Sequence, residues 1–582
     1  MKIVKNNFKM LRLAGKEGKL VLSFKMIRSC VGAIKTVLMK IVVPASIINA
    51  LADGDLLILL LSVSAFLCLE LIDIWVLNHI ENTLIKSAEV KMSDDIILSL
   101  YRHSSEIDMK NFDDKNYYDK NIVALNNIPG AILTSINVLT TVIGGILAIM
   151  LNIGCVLNIS RISIFYIALT VVFSVMLRFY MTRWLLKLKE EQAPLNRKID
   201  YNFEFRSNFR YAKAVKVEKI KKLHDDAFAD ASDERVKIID KIIPKLLAFF
   251  LADDFLNGML IKVLFLMALS YVALVLKNMS AVDVIVVYSA TVNISDVFKS
   301  IVQTMVSLDT VSVYAGVYDD FVMKKSELAD GEKKINEINK IEFKNVSFSY
   351  DGNNNILKDV CFKVTKGMKV ALVGRNGSGK TTLLKLLLRF YDTDTGKILI
   401  NDTDIKEFKA KDYRQLFSVL FQDVRLINAT VSENVTYGRE EISDKVNKEI
   451  EIVGLKEKID EFPDGVKTHL GHELFEDGRN LSGGQSQKLL LARALYKESS
   501  VILLDEPTAH IDIKSENEFY GTIYEKLCDK TVFYITHRLI STQNADLILV
   551  FDEKGISEIG SHDELMNKEG LYKKMYLLQT EA

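Results

Sequence analysis

At 582 residues the chain is longer than one hydrophobic core usually serves, so at least two domains are expected. Its 75 Lys and Arg balance its 75 Asp and Glu, and zero formal charge excludes the bulk electrostatics that hold nucleic acid, so no nucleic-acid partner is expected. The five cysteines stand apart, without a C-x-x-C pair or a Cys/His group, which sets aside a disulfide framework and a thiolate metal centre.

The N-terminal stretch carries Lys2, Lys5, Lys9, Arg12, Lys16 and Lys19 but no short apolar run ending in a cleavage site, so no signal peptide is expected. Six apolar stretches then reach the roughly 20 residues a bilayer crossing needs. Their cores are 20–50, 56–80, 131–153, 162–186, 246–276 and 284–308. Short connections at 52–55, around Arg161 and around Lys277 make three hairpins of them. The two remaining connections are long, and 187–245 is dense in Lys and Arg. By the positive-inside rule both termini and both long loops are cytoplasmic, in a multi-pass protein of the cytoplasmic membrane. High Lys, Ile and Asn usage matches a low-GC bacterial source.

Both long loops keep helical periodicity, and each has an aromatic, polar break, at 112–119 and 201–206. Such breaks suit docking into a groove of another domain; an ordinary solvated loop is the alternative. Charges inside the crossings are costly. Counting from a hairpin tip near Asp53 sets Lys35 level with Glu70 and Asp73, and counting from a tip near Ser280 sets Lys262 level with Asp296 and Lys299. These groups either neutralise one another, line a polar path, or meet water on cytoplasmic extensions of the helices. A polar stretch at 324–339 is the expected linker.

From Ile341 short β-branched runs alternate with helical ones, the pattern of an α/β domain. Residues 374–381 read GRNGSGKT, between an apolar strand at 369–373 and an apolar helix at 382–388. Backbone N–H groups of such a loop converge on phosphate at a helix start, Lys380 reaches the β- and γ-phosphates, and the Thr381 hydroxyl faces Mg²⁺. The run 501–506, VILLDE, ends a buried strand in two carboxylates, Asp505 suited to the metal and Glu506 to activating water. Between them, 481–485 read LSGGQ at the start of a helical run, a second anion site.

With that pentapeptide the chain resembles the ATP-binding cassette (ABC) transporters, and six crossings ahead of one cassette resemble the exporter-type half-transporter. The resemblance implies an all-α six-helix transmembrane domain at 1–323, the linker at 324–339, and an α/β P-loop nucleotide-binding domain at 340–582. It implies ATP and Mg²⁺ as cofactors, with ATP held by Tyr350 (stacked on adenine), Gly374, Arg375, Asn376, Gly377, Ser378, Gly379, Lys380, Thr381, Thr382 and Gln422. Thr381, Gln422 and Asp505 would hold the metal, and Glu506, His537 and Lys380 would carry the hydrolysis. Ser482, Gly483, Gly484 and Gln485 would cover ATP bound to a second cassette, with Asp512 in the loop communicating between the two. An obligate dimer follows, homodimeric or heterodimeric, with lipid and an unknown transported substrate as further partners, and the aromatic breaks as coupling helices. The expected function is ATP-driven export of a hydrophobic or amphipathic small molecule, peptide or lipid. An importer of the same fold, a regulatory half of a heterodimer and an ATP-gated channel-like protein are the alternatives. The chain departs from the family pattern at Ser486-Gln487-Lys488, at His510, and in the long segment 471–479, where Glu476 is the best match to the partner-touching acid; no departure removes a catalytic group.

Overall fold

A computed structural model of the chain describes residues 2–580 apart from 113–114, 156–160, 208–215, 217–219, 278, 324–327, 329, 423, 509–512 and 554. Two compact units form, Met1–Ile107 with Lys115–Lys325 and Asp108–Asp114 with Ser326–Ala582.

The first unit is helical. Among the described residues five helices are long and apolar enough to cross a bilayer: Gly15–Asp53, Leu56–Glu106, Ala124–Gly154, Lys222–Leu274 and Ala281–Met323. Where the fourth crossing is expected, a shorter apolar stretch, Ile162–Leu177, opens the helix Arg161–Ser207. Outward apolar side chains such as Leu57, Trp75 and Leu274 are the surface of a multi-pass membrane protein. The first hairpin turns at Gly54, φ 70°, and Asp55 caps the next helix by accepting the amides of Leu57 and Ile58 at 3.0 and 3.2 Å. At the last tip Ser280 and Asp283 cap one another, at 2.9 and 3.1 Å.

Lipid gives helices no hydrophobic reason to associate, so small residues and side-chain hydrogen bonds carry the packing. A Cβ on Gly145 would stand 2.8 Å from Ile301 Cδ1, so a larger residue there would make the Ile301 side chain shift where the helices Lys115–Cys155 and Ala281–Met323 meet. Asn293 donates to Asn152 at 3.2 Å between the same helices, and Ser295 to Thr170 of Arg161–Ser207 at 2.8 Å. The charges expected at matching depth do meet. Lys35 Nζ lies 3.0 Å from Asp73 and 3.5 Å from Glu70, and Lys262 Nζ 3.4 Å from Asp296. Arg28–Glu81 and Lys25–Glu89 extend the first pair into a ladder whose cations all stand on Gly15–Val37 and whose acids all stand on Leu56–Glu106. Asp73 opens a wide π-helical turn, Asp73–Leu77, the kind of local irregularity that marks a constrained side chain.

The expectation of two breaks needs correcting. Residues 201–206 are not a break, because the helix Arg161–Ser207 runs through them and Asn202 bonds back to the Lys198 carbonyl at 2.8 Å. The stretch holds neither Gly nor Pro, and its aromatic rings are compatible with helix, so nothing stops the helix there. Residues 208–212 lie outside the described set. Nor is most of 112–119 a break: residues 115–119 open the helix Lys115–Cys155, Phe112 ends a short helix Met109–Phe112 that follows the non-helical Ile107 and Asp108, and residues 113–114 are not described.

Among the described residues the second unit has ten strands: β1 Lys340–Phe348, β2 Leu357–Thr365, β3 Lys369–Gly374, β4 Thr395–Ile400, β5 Thr403–Asp404, β6 Phe417–Leu420, β7 Val501–Asp505, β8 Thr531–Ile535, β9 Leu547–Asp552 and β10 Gly555–Gly560. The main sheet runs β10-β9-β3-β8-β7-β6, parallel except for β10, and a smaller antiparallel sheet runs β2-β1-β4-β5. Strands buried on both faces need unbroken apolar runs, which β3, β7 and β8 have. Their side chains alternate between two cores, Ala371, Leu504 and Tyr534 in one, Leu372, Leu503 and Phe533 in the other. The polar stretch ahead of β1 hydrogen-bonds into this unit from Asp330 onward: the amides of Gly331 and Lys333 donate to the carbonyls of Phe408 and Glu407, and Ile338 is buried.

Candidate nucleotide site

Strand order makes the site. β8 lies between β3 and β7, with Leu372 opposite Ile535 and Ile535 opposite Asp505, so three neighbouring strands end at one edge of the sheet. One delivers the loop 374–381, one Asp505 and Glu506, one Thr536 and His537. Ligands of open α/β sheets bind at the carboxyl ends of the strands, where this edge lies. A Cβ on Gly374 would meet the Phe551 carbonyl at 2.3 Å, so β3 can turn into the loop beside β9 only with glycine there.

Within the loop Lys380 folds back and donates to the carbonyls of Gly374 and Arg375 at 2.9 and 2.8 Å. Burial holds its ammonium below the ordinary lysine value, against the opposing pull of Glu506 and Asp505. Arg375, Asn376 and Gly377 are exposed at the tip, while Ser378, Gly379, Lys380 and Thr382 are buried. The Thr381 hydroxyl donates to Asp505 Oδ2 at 3.0 Å. Glu506 is held at both oxygens: Gln422 Nε2 donates to Oε2 at 3.0 Å, and His537 Nε2 lies 2.8 Å from Oε1. Its backbone sits at φ 49°, a conformation that costs a non-glycine residue about 1–3 kcal/mol and that concentrates at functional sites.

The donors suit a nucleotide and its metal. The buried Ser378 hydroxyl has no hydrogen-bond partner, which fits a loop that completes itself on a ligand. Thr381, Asp505 and Gln422 offer a hydroxyl, a carboxylate and an amide, the hard oxygen donors that Mg²⁺ takes. The Tyr350 ring is half exposed, edge-on to Phe348 and Tyr391 at 5.0 and 5.1 Å, with its hydroxyl 3.3 Å from Thr382 Oγ1 and Lys385 Nζ 5.7 Å from its centroid. It is a flat apolar surface next to the phosphate loop.

The structure thus brings Lys380, Thr381, Gln422, Asp505, Glu506 and His537 together. Ser482 and Gln485 instead bond to each other. Ser482 is the N-cap of the helix Gly483–Tyr496, its hydroxyl accepting the Gln485 amide at 3.3 Å while Gln485 Oε1 accepts the Ser482 amide at 2.9 Å. Gly483 and Gly484 open that helix, where amides lack partners inside it. Asp512 and His510 lie outside the described residues. Glu476 sits in a turn closed by Gly471 and Arg479, whose main chains hydrogen-bond at 3.0 Å. One group was not singled out from the sequence: Glu516, 3% exposed, accepts from Thr508 at 2.9 Å and from Arg538, joining the segments after β7 and β8. It lies in the first turn of the helix Ile513–Lys526 and belongs to no motif that points to it.

Residues 357–509 match the family model described as ABC transporter. The ATP-dependent lipid A-core flippase of Haemophilus influenzae (strain 86-028NP) is 41% identical over 41% of this chain and 40% of that protein. The mitochondrial iron-sulfur clusters transporter ATM1 of Candida glabrata is 40% identical over 41% of this chain and 33% of that one. The chain thus spans well under two thirds of these relatives' length. A solved bacterial Atm1-family ABC exporter with ATP bound superposes with a TM-score of 0.78 over 96% of this chain and 98% of that one, at 22% identity, a likeness of fold. Residues 357–509 thus carry the ABC transporter cassette, and the chain shares the fold of the solved Atm1-family exporter.

Proposed function

We propose that the chain hydrolyses ATP to export an amphipathic or hydrophobic compound, as one half of a dimer in which each cassette completes the other's site. The carrying observation is Glu506, ionisable and fixed between Gln422 and His537 beside the Thr381–Asp505 pair. A binding-only switch has no need of a carboxylate aimed this way. In this reading 1–323 is the transmembrane domain, 340–582 the nucleotide-binding domain, and both termini are cytoplasmic.

The loop amides of 374–381 and the Lys380 ammonium bind the β- and γ-phosphates, for which Lys380 exchanges its two carbonyl partners. Tyr350 stacks on adenine. Thr381, Asp505 and Gln422 would hold Mg²⁺, which would supply Lewis-acid polarisation of the phosphate oxygens. Ser482 and the amides of Gly483 and Gly484 from a second chain close over the γ-phosphate, and Asp512 contacts that chain. Glu506 takes a proton from water as the water oxygen bonds to the γ-phosphorus and the bond to the bridging oxygen breaks, releasing ADP and phosphate. His537 orients Glu506 and donates to the γ-phosphate oxygens as charge shifts.

The cargo class rests on the membrane unit. A groove of about 450 Å³ is lined by Ile153, Ile164, Ile167, Val171, Ile294 and Phe298, from three helices, and is apolar throughout. Such a groove suits the apolar part of a hydrophobic or amphipathic cargo. The test is transport into inside-out vesicles holding this chain, with fluorescent amphipathic dyes and labelled lipid as cargo. ATP-dependent accumulation in the lumen is expected; ATP-dependent loss from preloaded lumens would identify an importer and overturn the reading.

A further inference from the structure

The switch residue His537 follows β8 but has left the sheet: the last rung on that side is the Thr536 amide on the Leu372 carbonyl at 3.3 Å. Its main chain is held from elsewhere. Gln579, on the helix Leu571–Thr580, donates from Nε2 to the His537 carbonyl at 2.7 Å and accepts the Leu539 amide on Oε1 at 2.8 Å. One side-chain amide therefore forms both halves of the rung that a neighbouring strand would supply, and brackets Arg538. The helix is itself anchored to the residues that follow. Tyr572 hydroxyl lies 2.8 Å from Thr542 Oγ1 and 2.7 Å from His562 Nδ1, and Tyr576 hydroxyl accepts from Gln543. Both rings are buried, whereas Gln579 lies at the exposed tip of the helix.

We infer that Gln579 is a positioning residue for hydrolysis, and that the helix Leu571–Thr580 is the brace that keeps His537 aimed at Glu506. Backbone freedom at His537 feeds directly into the 2.8 Å contact between its Nε2 and Glu506. A hydrogen bond of this kind weakens steeply once its angle or length slips. Gln579 itself stays clear of nucleotide chemistry, its two bonds being spent on the backbone at 537 and 539. This inference rests on the proposed role of Glu506 and His537, and deepens it: aim at the γ-phosphate is set from the helix Leu571–Thr580, by a residue more than 40 positions after His537.

The test compares Gln579→Met, which keeps shape but neither bond, with Gln579→Glu, which can still accept the Leu539 amide. Full-length protein in lipid nanodiscs is assayed for steady-state ATPase activity, thermal unfolding and amide exchange at 537–543. Gln579→Met is expected to lower kcat about tenfold, with KM for ATP within about twofold and an unchanged melting temperature, and Gln579→Glu to fall between. Exchange of the Leu539 amide should accelerate in Gln579→Met and stay near wild type in Gln579→Glu, a readout independent of turnover. The proposal is overturned if Leu539 exchange is unmoved by Gln579→Met, or if kcat stays within twofold. It is equally overturned if kcat, KM and melting temperature fall together, since that pattern belongs to general destabilisation. His537→Ala serves as the reference: wild-type turnover in that variant would sink the reading of the site itself, whatever Gln579 does.

Discussion

Replacing Glu506 with Gln removes one charge and alters little else. Both carboxylate oxygens are in use, one receiving Gln422 Nε2 at 3.0 Å and the other facing His537 Nε2 at 2.8 Å. A glutamine amide can keep its oxygen toward Gln422 and turn its NH₂ toward an imidazole whose Nε2 carries no proton. The loss to folding is then about one charge-assisted hydrogen bond, on the order of 1 kcal/mol for so open a site. The loss to chemistry is the base, worth about 10²–10⁴ in rate, or roughly 3–5 kcal/mol of barrier. ATP binding rests on the loop and Tyr350 and is expected to survive, so Glu506→Gln should trap ATP-bound closed dimers. Phosphate release, trapped nucleotide and native mass or gel filtration in the presence of ATP read these three effects separately. Hydrolysis at the wild-type rate would refute the assignment of Glu506, and so would slow hydrolysis without any trapped ATP.

Ser482 serves both as helix cap and as a proposed contact to the partner's ATP, and two substitutions separate the roles. Ser482→Ala should cost about 1 kcal/mol in thermal stability as well as activity, whereas Ser482→Asp keeps a good N-cap and loses activity alone; an active Ser482→Asp protein would contradict the contact. Lys35→Leu strands Glu70 and Asp73 without their cation and should lower the melting temperature in detergent by roughly 5 °C, with Lys35→Arg close to wild type. Unchanged melting and transport in Lys35→Leu would show that the pair does no structural or functional work. Burial depresses the Lys497 ammonium to about 8 from an ordinary 10.5, while its Nζ donates to the carbonyls of Arg414 and Phe417. Between those values the unfolded chain binds the extra proton, so unfolding free energy should rise with pH across that window. A pH series of melting curves with Lys497→Met should show a flatter slope, and an identical slope would exclude Lys497 as its source.

The phosphate loop, the acidic strand end and the signature were legible because each is a contiguous string whose chemistry is local. The hairpin charges were legible for a related reason: antiparallel helices share one rise per residue, so counting back from Asp53 or Ser280 finds the partner depth. What the string could not show is adjacency made by strand order. β8 pairs with β7 about 30 residues back, which brings His537 to Glu506, and with β3 more than 100 residues back, which sets both beside the phosphate loop. The Gln579 rung and the Thr508–Glu516–Arg538 link are invisible for the same reason. At 201–206 composition misled, because aromatic and polar residues resemble a loop while their backbone preferences still permit helix. In the stretch ahead of β1, Lys and Glu side chains likewise say nothing of main-chain bonds such as Lys333 to Glu407.

The ladder between the first two long helices has a consequence for how they sit in lipid. Lys25, Arg28 and Lys35 all belong to one helix and Glu70, Asp73, Glu81 and Glu89 all to the next. At about 1.5 Å per residue Lys35 lies about 28 Å from the turn, near the far edge of a hydrocarbon core about 30 Å thick, where an unpaired charge costs less than the roughly 2.5–3.5 kcal/mol of mid-bilayer. Either helix by itself carries that smaller cost with no counter-charge. The tight turn at Gly54 and Asp55 sets the two side by side, each discharging the other. The hairpin therefore carries its own counter-charges, and its two helices are expected to be more stable in lipid as a pair than either is alone.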